Sequence, residues 1–363
     1  MSATPGKKIK VLVITPTMEG GGAERFVSLF CNHISNRILQ VHLAVINNSD
    51  PFYSISNPNI EITDLAASGV RGSFFKLREC ITKTKPDIVF TTANHLNLYV
   101  AAFKFLFPRI IWVARETSVV SVNSKYARYP AIYGFLLKLF YKKLDHIICQ
   151  SAFMQQDLVK NYSVPLHKTS VIYNGVDPSL AFYAGPVEAN NFITVARLSP
   201  EKGLNKSLQI VSTLNIPFKY SIIGKGPELT NLQQLAKELA IADKVEFTGQ
   251  VNDPFRGKEN SQLYLMTSLY EGFPNSVIEA NAIGIPVVAM KVPGGIKEII
   301  VDGDNGFLAN DEADFRRKIL IATTYLFNRK NISQSALSRF SINNMIGSVE
   351  ELFSKLYSVK KKY

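Results

Sequence analysis

The sequence predicts two α/β domains in succession, each a parallel sheet with helices on both faces. Three observations carry this reading. At 363 residues the chain exceeds the size at which a single core usually keeps growing. Short, nearly continuous apolar runs alternate with stretches of helical spacing, as they do when strands are buried on both faces. The alternation then starts again past the middle, after a passage of turn chemistry.

Taken in order, the strand-like run 9–15 leads into a glycine-rich loop and a helical stretch from Ala23 to about Ile34. Further strand patterns lie at 41–47, 87–91, 110–114 and 146–149, with a long helical stretch at 129–144 between the last two. The turn Tyr173-Asn174-Gly175-Val176-Asp177-Pro178 opens the junction. Strands then follow at 192–195, 220–223, 245–248, 263–266 and 286–289, with helices at 202–213 and 228–240. The expected domains are 1–175 and 192–340, joined by a linker at 176–191. A C-terminal helical segment, 341–363, is expected to cross back to the first domain and to end in a frayed basic tail, Lys360 to Lys362.

A hydrophobic content of 46% with 19% charged residues describes a folded chain and excludes a disordered one. No run of 18 apolar residues suggests a membrane-spanning helix, and Met1 to Lys10 lacks a signal-peptide core. Cys31, Cys80 and Cys149 are odd in number and scattered, which suits a reducing cytosol and forms no metal-ligand spacing. The net charge of +12 is uneven: residues 1–180 hold 20 Lys and Arg against 11 Asp and Glu, a surplus of 9. A basic half implies an anionic partner, either a phosphorylated substrate or an acidic membrane surface. Nucleic acid is not expected, because no zinc-finger or RNA-recognition signature is present.

The motif Glu271-Gly272-Phe273-Pro274-Asn275-Ser276-Val277-Ile278-Glu279 sets two carboxylates eight positions apart around a turn. A helix beginning at Asn275 or Ser276, both good N-cap residues, would place Glu279 about two turns in. A helix N-terminus suits a phosphate and flanking carboxylates suit sugar hydroxyls, and a nucleotide-sugar has both parts. Gly20-Gly21-Gly22-Ala23-Glu24-Arg25 follows the first strand, where glycines let the backbone approach a phosphate closely. It carries neither a dinucleotide fingerprint nor a Walker lysine. In Arg197-Leu198-Ser199-Pro200-Glu201-Lys202-Gly203, the two cations converge on one anion if the Ser-Pro turn folds back. Gly224-Lys225-Gly226-Pro227-Glu228 and Thr248-Gly249-Gln250-Val251 each end a strand and are weak turn signals alone.

In this order, GGAER, NGVD, RLSPEKG, GKGPEL, FTGQV, EGFPNSVIE and PGGIKEII resemble the large family-four group of retaining glycosyltransferases. The resemblance is densest from Ile172 to Asn305 and thinner across 50–170. It implies the GT-B fold: two Rossmann-like, doubly wound domains facing across a cleft, the first on the acceptor side and the second binding a nucleotide-sugar. It implies that Arg197 and Lys202 hold the pyrophosphate and that Glu271 binds sugar hydroxyls. Phe273, Pro274, Asn275 and Ser276 would contact sugar and phosphate, Glu279 the ribose, and Val251 the neighbourhood of the base. Gly21 and Gly22 would approach the donor.

Many family members carry a histidine where this chain has Arg115, so a histidine's proton-sharing role cannot be given to that position. His95 is the nearest histidine; His95, Arg115 and Asn174 are the remaining cleft candidates. No His/Cys cluster is present, so neither a metal nor a cofactor is expected and the diphosphate charge falls to Arg197, Lys202 and helix termini.

The resemblance implies transfer of a sugar, most often from a UDP-linked donor, to a hydroxyl of a glycan or lipid-linked acceptor in cell-surface polysaccharide synthesis. A nucleotide-sugar 2-epimerase on the same fold and an inactive, binding-only scaffold are the alternatives. The segment Tyr126 to Lys143 is basic, aromatic and amphipathic. It fits contact with the anionic inner face of a membrane by a cytoplasmic enzyme, or else simple packing on the sheet.

Overall fold

The computed structural model describes residues 8–361. It divides into two compact units, one running to Gly175 and taking in the chain from Ile342, the other spanning Val176–Ser341. Residues 1–7, and Lys362 of the basic tail, lie outside the described residues.

The first unit holds seven strands: β1 (Ile9–Thr15), β2 (Leu39–Val45), β3 (Glu61–Asp64), β4 (Ile88–Thr91), β5 (Ile111–Arg115), β6 (His146–Cys149) and β7 (Thr169–Val171). All pair in parallel, in the order β3-β2-β1-β4-β5-β6-β7. Strand side chains alternate between faces, so β1 sends Leu12 and Ile14 into one core and Val11 and Val13 into the other. The helix Gly22–His33 lays Phe26, Val27, Leu29 and Phe30 on the second of these faces. The helix Ile342–Lys360 covers the same face, its Phe353 ring edge-on to Phe90 at 5.3 Å. Its last residue is held, not frayed: Lys360 Nζ donates to the Ile110 carbonyl at 2.7 Å.

The second unit holds β8 (Asn191–Val195), β9 (Lys219–Ile223), β10 (Val245–Gly249), β11 (Leu263–Met266), β12 (Val287–Met290) and β13 (Gly306–Ala309). They form one parallel sheet in the order β10-β9-β8-β11-β12-β13. Phe192 and Ile193 at the centre of β8 enter opposite cores. Residues 176–191 are not the detached linker expected from their polarity. Val176 is buried and its N–H donates to Phe340 O at 2.7 Å, and Tyr183 and Glu188 bond to the backbones of Ile283 and Asn260.

In both sheets the strand order reverses beside the first strand, between β1 and β4 and again between β8 and β11. Loops leaving the carboxyl ends of these strand pairs diverge to opposite faces and leave a crevice, the place where open α/β sheets bind ligands.

Candidate active site

In the second unit the loops after β8 and β11 meet at this reversal. Lys202 closes a single 3-10 turn, Pro200–Lys202, that follows β8. Its Nζ lies 2.6 Å from Glu271 Oε1, which also accepts a 2.6 Å hydrogen bond from Ser268 Oγ. The side chain of Glu271 is 12% exposed. Lys202 therefore answers a carboxylate here, while Arg197 stands exposed and, among the described residues, without an ion pair. Lys202 and Glu271 meet across the two loops.

Glycines bring these loops into contact. Glu271 bridges to Gly294, at φ +119°, and a Cβ there would stand 1.4 Å from Glu271 O. Gly295 N–H then donates to Gly272 O at 3.0 Å. Gly224, at φ +146°, passes so close to β8 that a Cβ would lie 1.9 Å from Ala196 O. The Gly-Lys-Gly signal, weak as a turn, is a packing requirement that sets the loop after β9 against the loop carrying Arg197.

The helix after Glu271 runs Asn275–Ala282 and its N-cap is Pro274, not Asn275 or Ser276. Proline fits this place because its φ, here −74°, suits a helix start and its missing N–H would be unpaired anyway. The Ser276 hydroxyl is engaged elsewhere, 2.6 Å from the Tyr264 hydroxyl, which itself donates to Val195 O at 2.9 Å. Tyr264, which the sequence reading missed, thus ties the helix start to the end of β8. Pro274 itself has no side-chain donor or acceptor with which to cap the helix. Phe273 is buried, edge-on to Phe340 at 5.5 Å. Glu279, in the second turn, is 4% exposed. Neither carboxylate of the motif is an ordinary surface residue. Val251 is exposed in the loop beyond β10.

In the first unit, Gly21 is the N-cap of the helix Gly22–His33, again with no side-chain cap. Its φ of −139° is open to any residue, so the glycine leaves room rather than enabling a turn. His95 is exposed in the first turn of the helix Asn94–Phe103, just past β4. The loop after β1 and His95 thus flank the reversal of the first sheet.

Arg115 departs from expectation. It is the last residue of β5 rather than a residue beyond it, and it is fully buried. Its guanidinium lies 3.7 Å above the Phe26 ring centre and donates to the Asn174 side-chain oxygen. Asn174 donates in turn to Gln150 Oε1 at 3.1 Å, and Gln150 to Glu116 O at 2.8 Å, locking the ends of β5, β6 and β7 together. Burial lowers the Arg115 pKa to about 9, with the Glu116 charge opposing the shift. Burial pushes the Glu116 carboxyl up to about 7, although its Oε1 accepts from Tyr141 Oη at 2.6 Å and Asn97 Nδ2 at 2.8 Å.

Among the described residues no group of three or more His, Cys, Asp or Glu is placed to hold a metal ion, and no helix is long and apolar enough to cross a membrane.

Comparison with known proteins agrees with this geometry. Residues 20–180 match the model of glycosyltransferase family 4, and residues 182–334 that of glycosyl transferases group 1. The chain is 28% identical over 318 residues to a Campylobacter jejuni protein, N-acetylgalactosamine-N,N'-diacetylbacillosaminyl-diphospho-undecaprenol 4-alpha-N-acetylgalactosaminyltransferase, covering 82% of this chain and 85% of that one. Among solved structures, a sucrose-phosphate synthase from Thermosynechococcus elongatus superposes with a TM-score of 0.83 at 17% identity, over 97% of this chain and all of that one. The Anabaena protein HepE in complex with UDP-glucose superposes with a TM-score of 0.78 at 19% identity, over 96% of this chain and all of that one. Two parallel-sheet Rossmann-like units with these neighbours make the fold GT-B. Its two halves matching the two models in turn, the chain belongs to the group 1, family 4 glycosyltransferases.

Proposed function

We propose that this glycosyltransferase moves a sugar, with retention of its anomeric configuration, from a UDP-sugar to a hydroxyl of a lipid-linked glycan during cell-surface polysaccharide synthesis. The carrying observation is the Lys202–Glu271 pair at the strand-order reversal, beside the N-terminus of the helix Asn275–Ala282. A donor diphosphate entering there competes with Glu271 for the Lys202 ammonium and draws on the exposed Arg197 guanidinium. Glu271, released, accepts hydrogen bonds from the sugar hydroxyls. As the glycosidic bond breaks, negative charge grows on the departing UDP, and Lys202, Arg197 and the helix N-terminus stabilise it. The leaving phosphate oxygen takes the proton of the acceptor hydroxyl, which attacks from the same face. Glu279 is assigned to the ribose, Phe273 to Ser276 to sugar and phosphate, and the surroundings of Val251 to the base.

The relatives support the finer choices: UDP-glucose accompanies the Anabaena structure, and the Campylobacter protein is named for a diphospho-undecaprenol acceptor. A lipid-linked acceptor assigns the first unit to acceptor binding and the reaction to the cytoplasmic face of a membrane. No metal or cofactor is assigned to the chemistry.

Incubating the protein with UDP-sugars and a polyprenyl-diphosphate-linked acceptor, with and without EDTA, tests this reading. The expected product is the extended lipid-linked glycan with the donor's anomeric configuration, formed equally in EDTA. An inverted product or a strict metal requirement overturns the mechanism. Conversion of the UDP-sugar to its epimer without acceptor identifies an epimerase instead.

A further inference from the structure

The helix Pro130–Phe140 fully buries only Leu137. Tyr133 and Phe140 rest partly against the core, and the opposite stripe faces outward with Ile132 60% and Phe135 65% exposed. Leu139 continues that stripe, since residues three, four and seven apart share a helix face. Tyr126, 69% exposed, stands just before the helix, and Phe105, 64% exposed, joins its far end. The Lys143 Nζ connects that end, 4.3 Å from the Phe105 ring centre and 5.6 Å from that of Phe140. A core helix would turn these side chains inward. Here the apolar face is on the outside.

The charge around the face has one sign. Lys125, Arg128, Lys138, Lys142 and Lys143 lie within or beside it, and no Asp or Glu occurs from Thr117 to Leu144. Outward aromatic and aliphatic tips flanked by ammonium groups match the boundary between acyl chains and anionic headgroups, where a helix lies flat with its apolar face down. A second copy is a poor fit, because a two-fold contact would set the same five cations against themselves.

We infer that this face of the first unit docks the protein on an anionic phospholipid bilayer, with Ile132, Phe135, Leu139, Tyr126 and Phe105 entering the headgroup layer and the surrounding lysines holding lipid phosphates. The inference deepens the lipid-linked acceptor proposed above and rests on it for the choice of a bilayer.

Vesicle flotation of the full chain tests it, with phosphatidylcholine vesicles containing phosphatidylglycerol compared with pure phosphatidylcholine. Two variants separate the contributions: Ile132→Ser with Phe135→Ser, and Lys138→Glu with Lys142→Glu. The altered side chains are exposed, so folding is retained, and the fluorescence of Trp112 in the same unit confirms it. Wild type floats with the anionic vesicles and is released by salt. The lysine variant loses roughly fivefold or more in partitioning for each charge removed. The serine variant loses at least about tenfold.

Failure of wild type to float with anionic vesicles, or flotation of both variants like wild type, overturns the inference. So does a wild-type dimer that the serine variant converts to monomer, since a second copy then covers the face. Vesicle binding without UDP binding would sink the transferase reading and leave this surface standing; UDP-sugar transfer without vesicle binding would do the reverse.

Discussion

Lys202 Nζ stands 2.6 Å from Glu271 Oε1, joining the loops that leave β8 and β11 at the point where the sheet order reverses. The pair holds the Lys202 ammonium in place and neutralised, and the proposed donor diphosphate is expected to displace the carboxylate. Lys202→Ala is expected to lower turnover about 10²–10³-fold, the loss typical of one charge-stabilising donor, with Arg197→Ala in the same range. Steady-state kinetics with donor and acceptor check this. Near wild-type turnover in both variants would mean that other groups carry the leaving charge.

The two motif carboxylates are expected to separate in binding. Glu279→Ala removes a charged hydrogen-bond acceptor from the ribose and should weaken UDP itself by on the order of tenfold or more. Glu271→Ala should leave UDP affinity close to wild type while reducing turnover of the UDP-sugar. Calorimetry with UDP, set beside turnover, distinguishes them; equal weakening of UDP by both variants would contradict the division of roles.

Gly294 allows Glu271 to approach, since a Cβ would stand 1.4 Å from the Glu271 carbonyl oxygen at a φ of +119°. Gly294→Ala is expected to destabilise the second unit by about 2–4 kcal/mol, through strain at a backbone conformation reserved for glycine. Gly347→Ala is the control. That exposed glycine of the last helix has nothing within 4 Å, and alanine there should gain about 0.5–1 kcal/mol of stability. Denaturant unfolding of the two variants gives opposite signs if the packing is as described.

Glu116 predicts a pH dependence in the first unit. Burial pushes its carboxyl up to about 7 in the fold from an ordinary 4.5, so the folded state holds its proton more tightly than the unfolded chain does. The contribution to stability is fully present below about pH 4.5, declines as pH rises to about 7 and is flat above that. The total loss is on the order of 3 kcal/mol. Glu116→Gln keeps an oxygen for Tyr141 and Asn97 and removes this contribution, so wild type should lose stability relative to the variant over this range. Buried His146, its pKa lowered by burial to about 4, adds an opposing rise common to both. Trp112, the sole tryptophan, lies in β5 and reports unfolding of this unit by fluorescence. A stability difference between wild type and variant that stayed constant between pH 5 and 7 would place the titration elsewhere.

The strands buried on both faces were legible in the sequence because their apolar runs are continuous, as at β1, β4 and β11. β3 was missed because Glu61–Asp64 is a largely exposed edge strand with acidic ends, and β7 because Thr169–Val171 is only three residues long. The motifs located the loops of the second unit but not their mutual contacts. Lys202 and Glu271 are 69 positions apart, and only the parallel pairing of β8 with β11 brings them together. Arg115 was displaced by one residue, from a loop into a strand end, and its burial with Glu116 against Phe26, Asn97 and Tyr141 depends on partners distant in the sequence. Pro274 took the cap expected of Asn275 or Ser276 because Ser276 is held by Tyr264, a partner 12 positions back that no local pattern reveals.

The central claim is that the second unit binds a UDP-sugar through Lys202, Arg197 and the helix that follows Glu271. Isothermal calorimetry with a panel of UDP- and GDP-sugars tests it most directly. The account predicts saturable one-to-one binding of at least one UDP-sugar, weakened in Lys202→Ala and Arg197→Ala. Absence of binding by every member of the panel, from protein whose fold is intact, would contradict it.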